Sequence, residues 1–302
     1  MQFRLGTRGS ALALTQANMV RDALCAAHGW AASEVEIVPI RTTGDRVQDR
    51  ALAEIGGKAL WTKELDRALL AGEIDACVHS MKDVETLRPA AIAIAAMLPR
   101  ADVRDRLIGA ESIQALRHGA IVGTSSPRRR AQLLRLRPDL QIVLFRGNVG
   151  TRLAKLAAGE VDATLLAAAG LDRLDRHDIG VALSTDLMLP APAQGAVGIE
   201  VRADDEDARA LVATIDHWET KTCVLAERAL LAGLGADCHT PVAALASLAG
   251  ETLRLRAELI AEDGHAQVEG SIEGILGETC GRELAASLLD RAPPDIRRLF
   301  AA

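Results

Sequence analysis

Arginines follow two strand-like segments at the points where helices are expected to begin. In IVGTSSPRRRAQLL (121–134) an apolar run leads through a serine-bearing turn to Arg128 and Arg129, and in IVLFRGNVGTRLAKL (142–156) a second run leads through a glycine-bearing turn to Arg152. The N-terminus of a helix carries partial positive charge and unpaired N–H groups, so cations there are repelled unless an anion lies between them. The pattern therefore predicts an anion site at these turns.

The arrangement recurs near the start of the chain, in FRLGTRGSALAL, and one more arginine lies in the second turn. The arginines that could together hold several carboxylates or phosphates are Arg8, Arg128, Arg129, Arg146 and Arg152. For any one of them, a solvated helix face is the ordinary alternative. Nucleic-acid phosphates are a weaker alternative, because the formal net charge is −6 and the chain has only three Phe, three Trp and no Tyr for stacking bases.

A carboxylate stands among cations after another strand-like segment. The strand-like residues 76–79 are followed by SMKD (80–83), which places Ser80, Lys82 and Asp83 at the edge where the arginines are expected. Asp83 could stabilise positive charge that develops on a substrate, or move a proton from it. From the local sequence alone, an aspartate that caps backbone N–H groups of a turn is an equal alternative.

The cysteines differ in their surroundings. Four fall in helical or buried-strand patterns, where packing as a small hydrophobe is the ordinary explanation: Cys25, Cys77, Cys223 and Cys280. Cys238 instead follows two glycines in GLGADCHTP (233–241), where a thiol could be exposed and its thiolate could act as a nucleophile. No Cys or His spacing suggests zinc, and no metal is expected.

Strand and helix patterns alternate from residue 3 onward. The first series predicts strands at 3–7, 35–40 and 76–79 and helices at 11–27 and 62–71, a parallel α/β arrangement. After a strand at 92–97, a charged segment at 99–106 precedes a second series that runs to about residue 190. A short strand at 197–201 is expected to return to the first sheet. The segment at 99–106 is thus interpreted as a crossover to a second lobe, and the segment before residue 197 as the crossover back. Two crossovers predict a hinged pair of α/β lobes, with ligands at the carboxyl ends of the strands.

The pattern changes after about residue 217. A helix at 219–231 is followed by TLRLRAEL (252–259), the turn AEDGHA and the return segment AQVEGSI (266–272), as is typical of an antiparallel sheet with one solvated face. A last helix at 278–291 completes a small α+β unit. The start of the chain has no secretory signal and no apolar run could cross a bilayer, so a cytoplasmic location is expected.

Seven segments in order resemble the porphobilinogen deaminase family, also called hydroxymethylbilane synthases. They are TRGSALALTQA, GGKALWTKEL, VHSMKDV, GTSSPRRRAQL, FRGNVGTRL, PAPAQGAVGIE and ERALLAGLGADCHTPV, and the resemblance runs from residue 3 to about residue 245. It implies a transferase of tetrapyrrole (porphyrin and heme) biosynthesis that joins four porphobilinogen molecules head to tail with loss of ammonia. Growth starts on a covalently held dipyrromethane primer, and hydrolysis then frees hydroxymethylbilane.

The resemblance also implies the fold, which is two hinged periplasmic-binding-protein-like α/β lobes plus a small C-terminal α+β domain with a three-stranded antiparallel sheet. The expected domains are 1–98 with 196–215, then 99–195, then 216–302. They are expected to carry, in that order, the lid and catalytic aspartate, the arginine-rich binding surface, and the cysteine that attaches the primer. A monomer that binds neither nucleic acid nor membrane is expected.

Residue roles follow from the motif positions. Cys238 matches the thioether-forming cysteine of the family. Asp83 matches its aspartate, which is expected to stabilise the pyrrole nitrogens as ammonia leaves and the electrophilic azafulvene forms. The acetate and propionate groups of primer and substrate suit guanidinium contacts. The residues assigned to binding them are Arg8, Ser10, Lys82, Thr124, Ser126, Arg128, Arg129, Arg146, Gly147, Asn148, Arg152 and Arg173.

Lys58 and Trp61 match the mobile lid of the family, where Phe is more usual than Trp, and plain core packing is an equal alternative for Trp61. Other departures are mild. Glu85 stands where proline often follows HSMKDV, and Pro127 replaces a common Leu before the paired arginines. Ala236-Asp237 replaces Gly-Gly before the cysteine, and Gly permits backbone angles that Ala and Asp resist.

A solute-binding or effector-sensing module is the alternative function. A chain that only binds has no need for Cys238 together with Asp83, which favours the enzyme. His79 and His239 are interpreted as structural, because a general base must lie within hydrogen-bond reach of its proton and adjacency in sequence does not establish that.

Overall fold

The computed structural model describes residues 2–42, 62–237, 239–275 and 279–300, with the backbone alone at Ile275. The strands there are β1 (Phe3–Arg8), β2 (Val35–Ile40), β3 (Ala76–Ser80), β4 (Ile92–Met97), β5 (Asp105–Ile108), β6 (Ile121–Gly123), β7 (Gln141–Val143), β8 (Ala163–Ala167), β9 (Val181–Ala182), β10 (Val197–Arg202), β11 (Val242–Ala249), β12 (Thr252–Ile260) and β13 (Gln267–Ile275). The helices are α1 (Ala11–His28), α2 (Lys63–Leu70), α3 (Pro127–Leu136), α4 (Val149–Ala157), α5 (Ala168–Asp172), α6 (Glu206–Ala213), α7 (Trp218–Leu234), α8 (Thr279–Arg291) and α9 (Pro294–Arg297).

Over the described residues the chain forms two five-stranded sheets and a three-stranded antiparallel sheet, each with helices, so the predicted fold class is confirmed. The chain separates into two compact units. Described residues of 2–42, 62–101 and 195–221 belong to the first, and those from 102 to 194 and from 222 onward belong to the second.

The sheet of the first unit has the strand order β2-β1-β3-β10-β4. β1 runs parallel to β2 and β3, whereas β10 runs antiparallel to β3 and β4, so the segment predicted at 197–201 does return to the first sheet. Apolar residues of α1 and of the strands form the core, as the alternating pattern predicts; among them are Leu5, Ala17, Val20, Leu24 and Ile199.

The first sheet of the second unit has the order β7-β6-β8-β5-β9. β6 is parallel to β7 and β8, and β5 is antiparallel to β8 and β9. The plan matches that of the first unit: β1 and β6 each lie between two parallel neighbours, and an antiparallel strand, β10 or β5, lies beyond β3 or β8. The loops after β1 and after β6 therefore occupy equivalent places, at the carboxyl edge of each sheet.

The second sheet of the same unit has the order β11-β12-β13, all antiparallel. Its apolar face packs on α7 and α8 through residues such as Leu230, Leu255, Leu259 and Leu284. The turn between β12 and β13 contains Gly264, whose φ is +77°, and a Cβ added there would lie 2.7 Å from the carbonyl oxygen of Ala131. The turn therefore approaches the backbone of α3 at a position that suits glycine.

Candidate active site

The turn after β3 carries Lys82 and Asp83, and Met81 anchors it to the sheet. The Met81 N–H donates to the carbonyl of Ala196 at 3.1 Å, and its side chain is buried. Gly198 on β10 leaves the room that the Met81 sulfur fills, because a Cβ at Gly198 would collide with it. A single turn of 3₁₀-helix over Met81–Asp83 then leaves the Asp83 side chain half-buried at the end of the strand.

A pocket in the first unit lies at this point. Its lining includes Arg8, Ser10, Gln16, Ser80 and Asp83, so the structure brings together three residues that the sequence assigned to one site. Arg8 is the last residue of β1, and the Ser10 hydroxyl caps α1 by accepting from the Ala13 N–H at 3.3 Å. The pocket thus combines a carboxylate, a guanidinium and hydroxyl groups.

Gln16 was not predicted from the sequence. Its side chain is 2% exposed, and its Nε2 donates to the Ser80 hydroxyl at 2.8 Å. A signal was available, since Gln16 is the polar member of the buried stripe of α1 that includes Ala13, Ala17 and Val20. A polar side chain on such a stripe needs a hydrogen-bond partner, and Ser80 provides one.

A buried group of charges, here called the Arg88 network, adjoins this pocket; its members are Asp66, His79, Glu85, Arg88 and Glu200. Arg88 donates to Glu200 through Nε and Nη2, both at 2.8 Å, to Asp66 at 2.5 Å and to Glu85 at 2.6 Å. Nε2 of His79 lies 3.2 Å from a Glu200 oxygen. One guanidinium and one imidazole therefore face three carboxyl groups.

Burial opposes the charged form of these carboxyl groups, but the net change in pKa differs between them. At Asp66 burial is the stronger influence and raises the pKa, although Arg88 opposes it. At Glu200 burial also works against the charged form, but the hydrogen bond and charge of His79 together with those of Arg88 outweigh it and lower the pKa to about 2. One member of the network, His79, lines the pocket, and a second, Glu85, accepts from the lining residue Thr62 at 2.8 Å.

The second unit has a different group, here called the Asp105 network, with Asp105, Arg128, Arg129, Gln132 and Gln194. Asp105 on β5 is 1% exposed and accepts from Arg128 Nη1 and Arg129 Nη2 at 2.8 Å each, and from Gln194 Nε2 at 2.9 Å. Burial disfavours the Asp105 carboxylate, but the two guanidinium charges outweigh it and hold the pKa of Asp105 well below its usual range.

The anion that the helix-start arginines were predicted to need is thus present within the chain. Arg128 and Arg129 are 3% and 6% exposed and share that single carboxylate. Within the described part of the chain, the Nε–H groups of both are buried and have no hydrogen-bond acceptor. Two guanidinium groups with one carboxylate leave surplus positive charge, which fits a ligand that carries further carboxylates.

Several predicted binding residues hold the turns in shape. Ser126 caps α3 by accepting from the Arg129 N–H at 3.4 Å, and Asn148 caps α4 by accepting from the Thr151 N–H at 2.9 Å. The Thr124 hydroxyl accepts from the Ser126 N–H at 3.1 Å. These contacts are the local caps that the residue types favour at helix starts.

Gly147 has φ +126°, and its carbonyl accepts from Arg152 Nε at 2.9 Å, which folds the arginine back over the turn before α4. Arg146 precedes this glycine. Arg173 directly follows α5 and is half-buried; burial lowers the pKa of its guanidinium, and Asp172 opposes that effect. Lys58, Trp61 and Cys238 lie outside the described residues, so their predicted roles remain predictions.

In the ranges given above, no helix combines the length and apolar character needed to cross a membrane. A search of the same residues finds no group of three His, Cys, Asp or Glu side chains placed to hold a metal ion.

Two family models match the chain. "Porphobilinogen deaminase, dipyromethane cofactor binding domain" matches residues 3–210, and "Porphobilinogen deaminase, C-terminal domain" matches residues 221–290. The chain belongs to the porphobilinogen deaminase family. The resemblance read from the seven motifs is therefore confirmed.

Curated members of the family resemble the chain over nearly its whole length. The porphobilinogen deaminase of Sphingopyxis alaskensis is 60% identical, in an alignment that covers 99% of this chain and 96% of the relative. That of Paracoccus denitrificans is 52% identical, with 97% and 95% covered. Among solved structures, the periplasmic VFT2 domain of Bordetella pertussis BvgS aligns with 70% of this chain and with 86% of its own length. The identity is 14% and the TM-score is 0.41, which indicates only a weak likeness.

Proposed function

We propose that the protein catalyses the reaction of its family: four porphobilinogen molecules are joined head to tail on a covalent dipyrromethane primer with loss of ammonia, and hydrolysis then frees hydroxymethylbilane. The observation that carries the proposal is the pocket that holds Asp83, Arg8 and the Gln16–Ser80 pair in a chain of this family. A carboxylate and a guanidinium in one pocket suit a substrate that has carboxylates and loses an amine.

Asp83 is the proposed catalytic residue. Loss of ammonia leaves positive charge on the substrate pyrrole, and a fixed carboxylate stabilises such charge without reorganising. The Met81 anchor and the half-buried position of Asp83 support this role, since they hold the carboxylate in place at the pocket. The Arg88 network, in which three carboxyl groups face one guanidinium and one imidazole among the described residues, adjoins the same pocket at His79 and Thr62. Loss of the α-proton after each coupling is proposed to use Asp83 as well.

Arg8 in the first unit and the arginines of the second are proposed to bind the acetate and propionate groups of primer and substrate. The surplus charge of Arg128 and Arg129, and their Nε–H groups that have no acceptor among the described residues, support this for the second unit. Arg146, Arg152 and Arg173 are proposed to contribute in the same way, and Lys82 to neutralise a carboxylate beside Asp83. The dipyrromethane, held through Cys238, would supply the pyrrole to which the first substrate unit is joined.

The division into three domains, the lid role of Lys58 and Trp61, a cytoplasmic location and a monomeric state belong to the same proposal. The three sheets support the division, because each has its own apolar core.

The test is stoichiometry. Purified protein is incubated with porphobilinogen, and ammonia release, substrate loss and linear tetrapyrrole formation are measured together. The proposal predicts about four ammonia molecules per tetrapyrrole, as the reaction itself requires. Porphobilinogen that binds but is recovered unchanged would instead support the solute-binding module and contradict the proposal.

A further inference from the structure

A buried carboxylate of the three-stranded sheet contacts the helix that carries the arginine pair. Glu258 on β12 is 5% exposed and accepts from Gln132 Nε2 on α3 at 3.0 Å. Arg135, also on α3, has its Nε 3.3 Å from the other Glu258 oxygen. Glu258 lies on the face of β12 opposite the apolar residues Leu255 and Leu259 and is buried against α3, so its charge is retained against a desolvation cost.

Glu258 fixes which way the amide of Gln132 points. A carboxylate only accepts hydrogen bonds, so the Gln132 nitrogen must face Glu258. The same nitrogen donates to the carbonyl of Leu189 at 2.9 Å, which uses its second N–H. The amide oxygen is thereby turned the other way, and it accepts from Arg128 Nη1 at 2.9 Å.

Three acceptors meet at that nitrogen of Arg128: the Gln132 oxygen, Asp105 at 2.8 Å and the carbonyl of Leu189 at 3.1 Å. They fix the rotation of the guanidinium plane, and with it the direction of the Nε–H that has no acceptor among the described residues. The turn at Gly264 supports the same contact from the backbone, because it lies against α3 at Ala131 and Arg135.

We propose that Glu258 is a positioning residue for Arg128: through Gln132 it sets the guanidinium for the primer or substrate carboxylate that Arg128 is proposed to bind. The inference rests on the proposed function. It assigns a role in binding to the sheet that begins just after Cys238, and gives a purpose to a buried charge that neither family motifs nor local sequence singled out.

The experiment uses full-length protein that carries its primer and compares five variants with wild type. Glu258→Met keeps the length of the side chain but cannot accept, Gln132→Met breaks the link on α3, and the double variant removes both. Glu258→Gln restores an acceptor for Gln132. Glu273→Met is the matched control, since Glu273 is an exposed glutamate of β13 in an ion pair with Arg254.

Each single Met variant in the link is expected to raise the KM for porphobilinogen about fivefold to tenfold, the effect of one lost hydrogen bond. Turnover per primed chain should change by less than about twofold, since Glu258 does not touch the reacting atoms. The double variant should be no worse than either single one, because both act through one link. Glu258→Gln should return the KM to within about twofold of wild type, and Glu273→Met should leave it unchanged.

Three results would each overturn the inference. They are a wild-type KM in folded Glu258→Met, a rise in KM in the double variant equal to the product of the two single rises, and a change confined to the melting temperature. If Glu258→Met does not melt cooperatively, Gln132→Met decides: an unchanged KM overturns the proposal and a raised KM supports it. If wild type does not turn over porphobilinogen at all, the proposed function fails instead, so the two failures are distinguishable.

Discussion

Among the described residues, the two five-stranded sheets share a strand order, but the groups of buried charge beside them differ in balance. In the first unit, Arg88 and His79 face the three carboxyl groups of Asp66, Glu85 and Glu200. In the second, Arg128 and Arg129 share Asp105. One fold plan thus carries one site suited to stabilise positive charge and another suited to hold carboxylates. The balance of buried charge, and not the topology, distinguishes what the two units can do.

The largest effect is expected when the carboxylate of the pocket itself is removed. Asp83→Asn should lower ammonia release from porphobilinogen by about 100-fold or more, the usual range for a lost catalytic carboxylate. Steady-state rates measure this, with circular dichroism to verify folding. Asp204→Asn, at an exposed aspartate of the same unit, is the control and should keep the wild-type rate. Normal turnover by Asp83→Asn would remove its assigned role.

Neutralising one carboxylate in each network tests their unequal balance. Asp105→Asn removes the carboxylate that the two buried guanidinium groups share, and should lower the free energy of unfolding by about 3 to 5 kcal/mol. Glu200→Gln leaves Arg88 with Asp66 and Glu85, so about 1 to 3 kcal/mol is expected. Urea unfolding measures both. Equal losses, or a larger loss in Glu200→Gln, would contradict the charge balance described.

Low pH should lower the free energy of unfolding through the carboxyl groups of the two networks. Glu200 has a folded pKa of about 2, below the ordinary glutamate value of about 4.3, and the pKa of Asp105 is lowered as well. A carboxyl group that binds fewer protons when folded stabilises the fold above its unfolded pKa, and that stabilisation is lost as the pH falls through the folded value. Asp66, whose pKa is raised, acts in the opposite direction.

Unfolding free energy is therefore expected to fall as the pH is lowered from about 4.3 toward 2, with a shallower fall in Glu200→Gln than in wild type. Urea titrations at a series of pH values measure the slopes. Identical slopes for the two proteins would show that Glu200 does not have the low pKa assigned to it.

A further test concerns the support that the turn between β12 and β13 gives to α3 in the second unit. Gly264→Ala combines a positive φ with a Cβ close to the backbone of Ala131, so a loss of about 2 to 4 kcal/mol is expected. Gly250→Ala is the matched control: its φ is +62° but nothing lies within 4 Å, so about 1 to 2 kcal/mol is expected. Equal melting temperatures for the two variants would contradict the close packing of this turn on α3.

Periodicity predicted the order of the elements, including the return of β10 to the first sheet and the antiparallel third sheet, because hydrophobic alternation is a local property. Helix dipoles indicated an anion site beside Arg128 and Arg129, and the carboxylate that the structure places there is that of Asp105. The identity of that anion could not be predicted, since Asp105 lies in a segment interpreted as a crossover and reaches the arginines only through strand pairing. The partners of Arg88 are likewise up to 112 residues away along the chain.

The most direct test of the central claim is the intact mass of the purified, denatured chain beside that of Cys238→Ser. Covalent chain growth at Cys238 predicts a discrete excess of two pyrrole units in wild type, absent from the variant, that grows by single units when porphobilinogen is added. A bare mass in wild type that neither primer precursor nor substrate changes would contradict covalent chain growth at Cys238, and would leave a protein that at most binds.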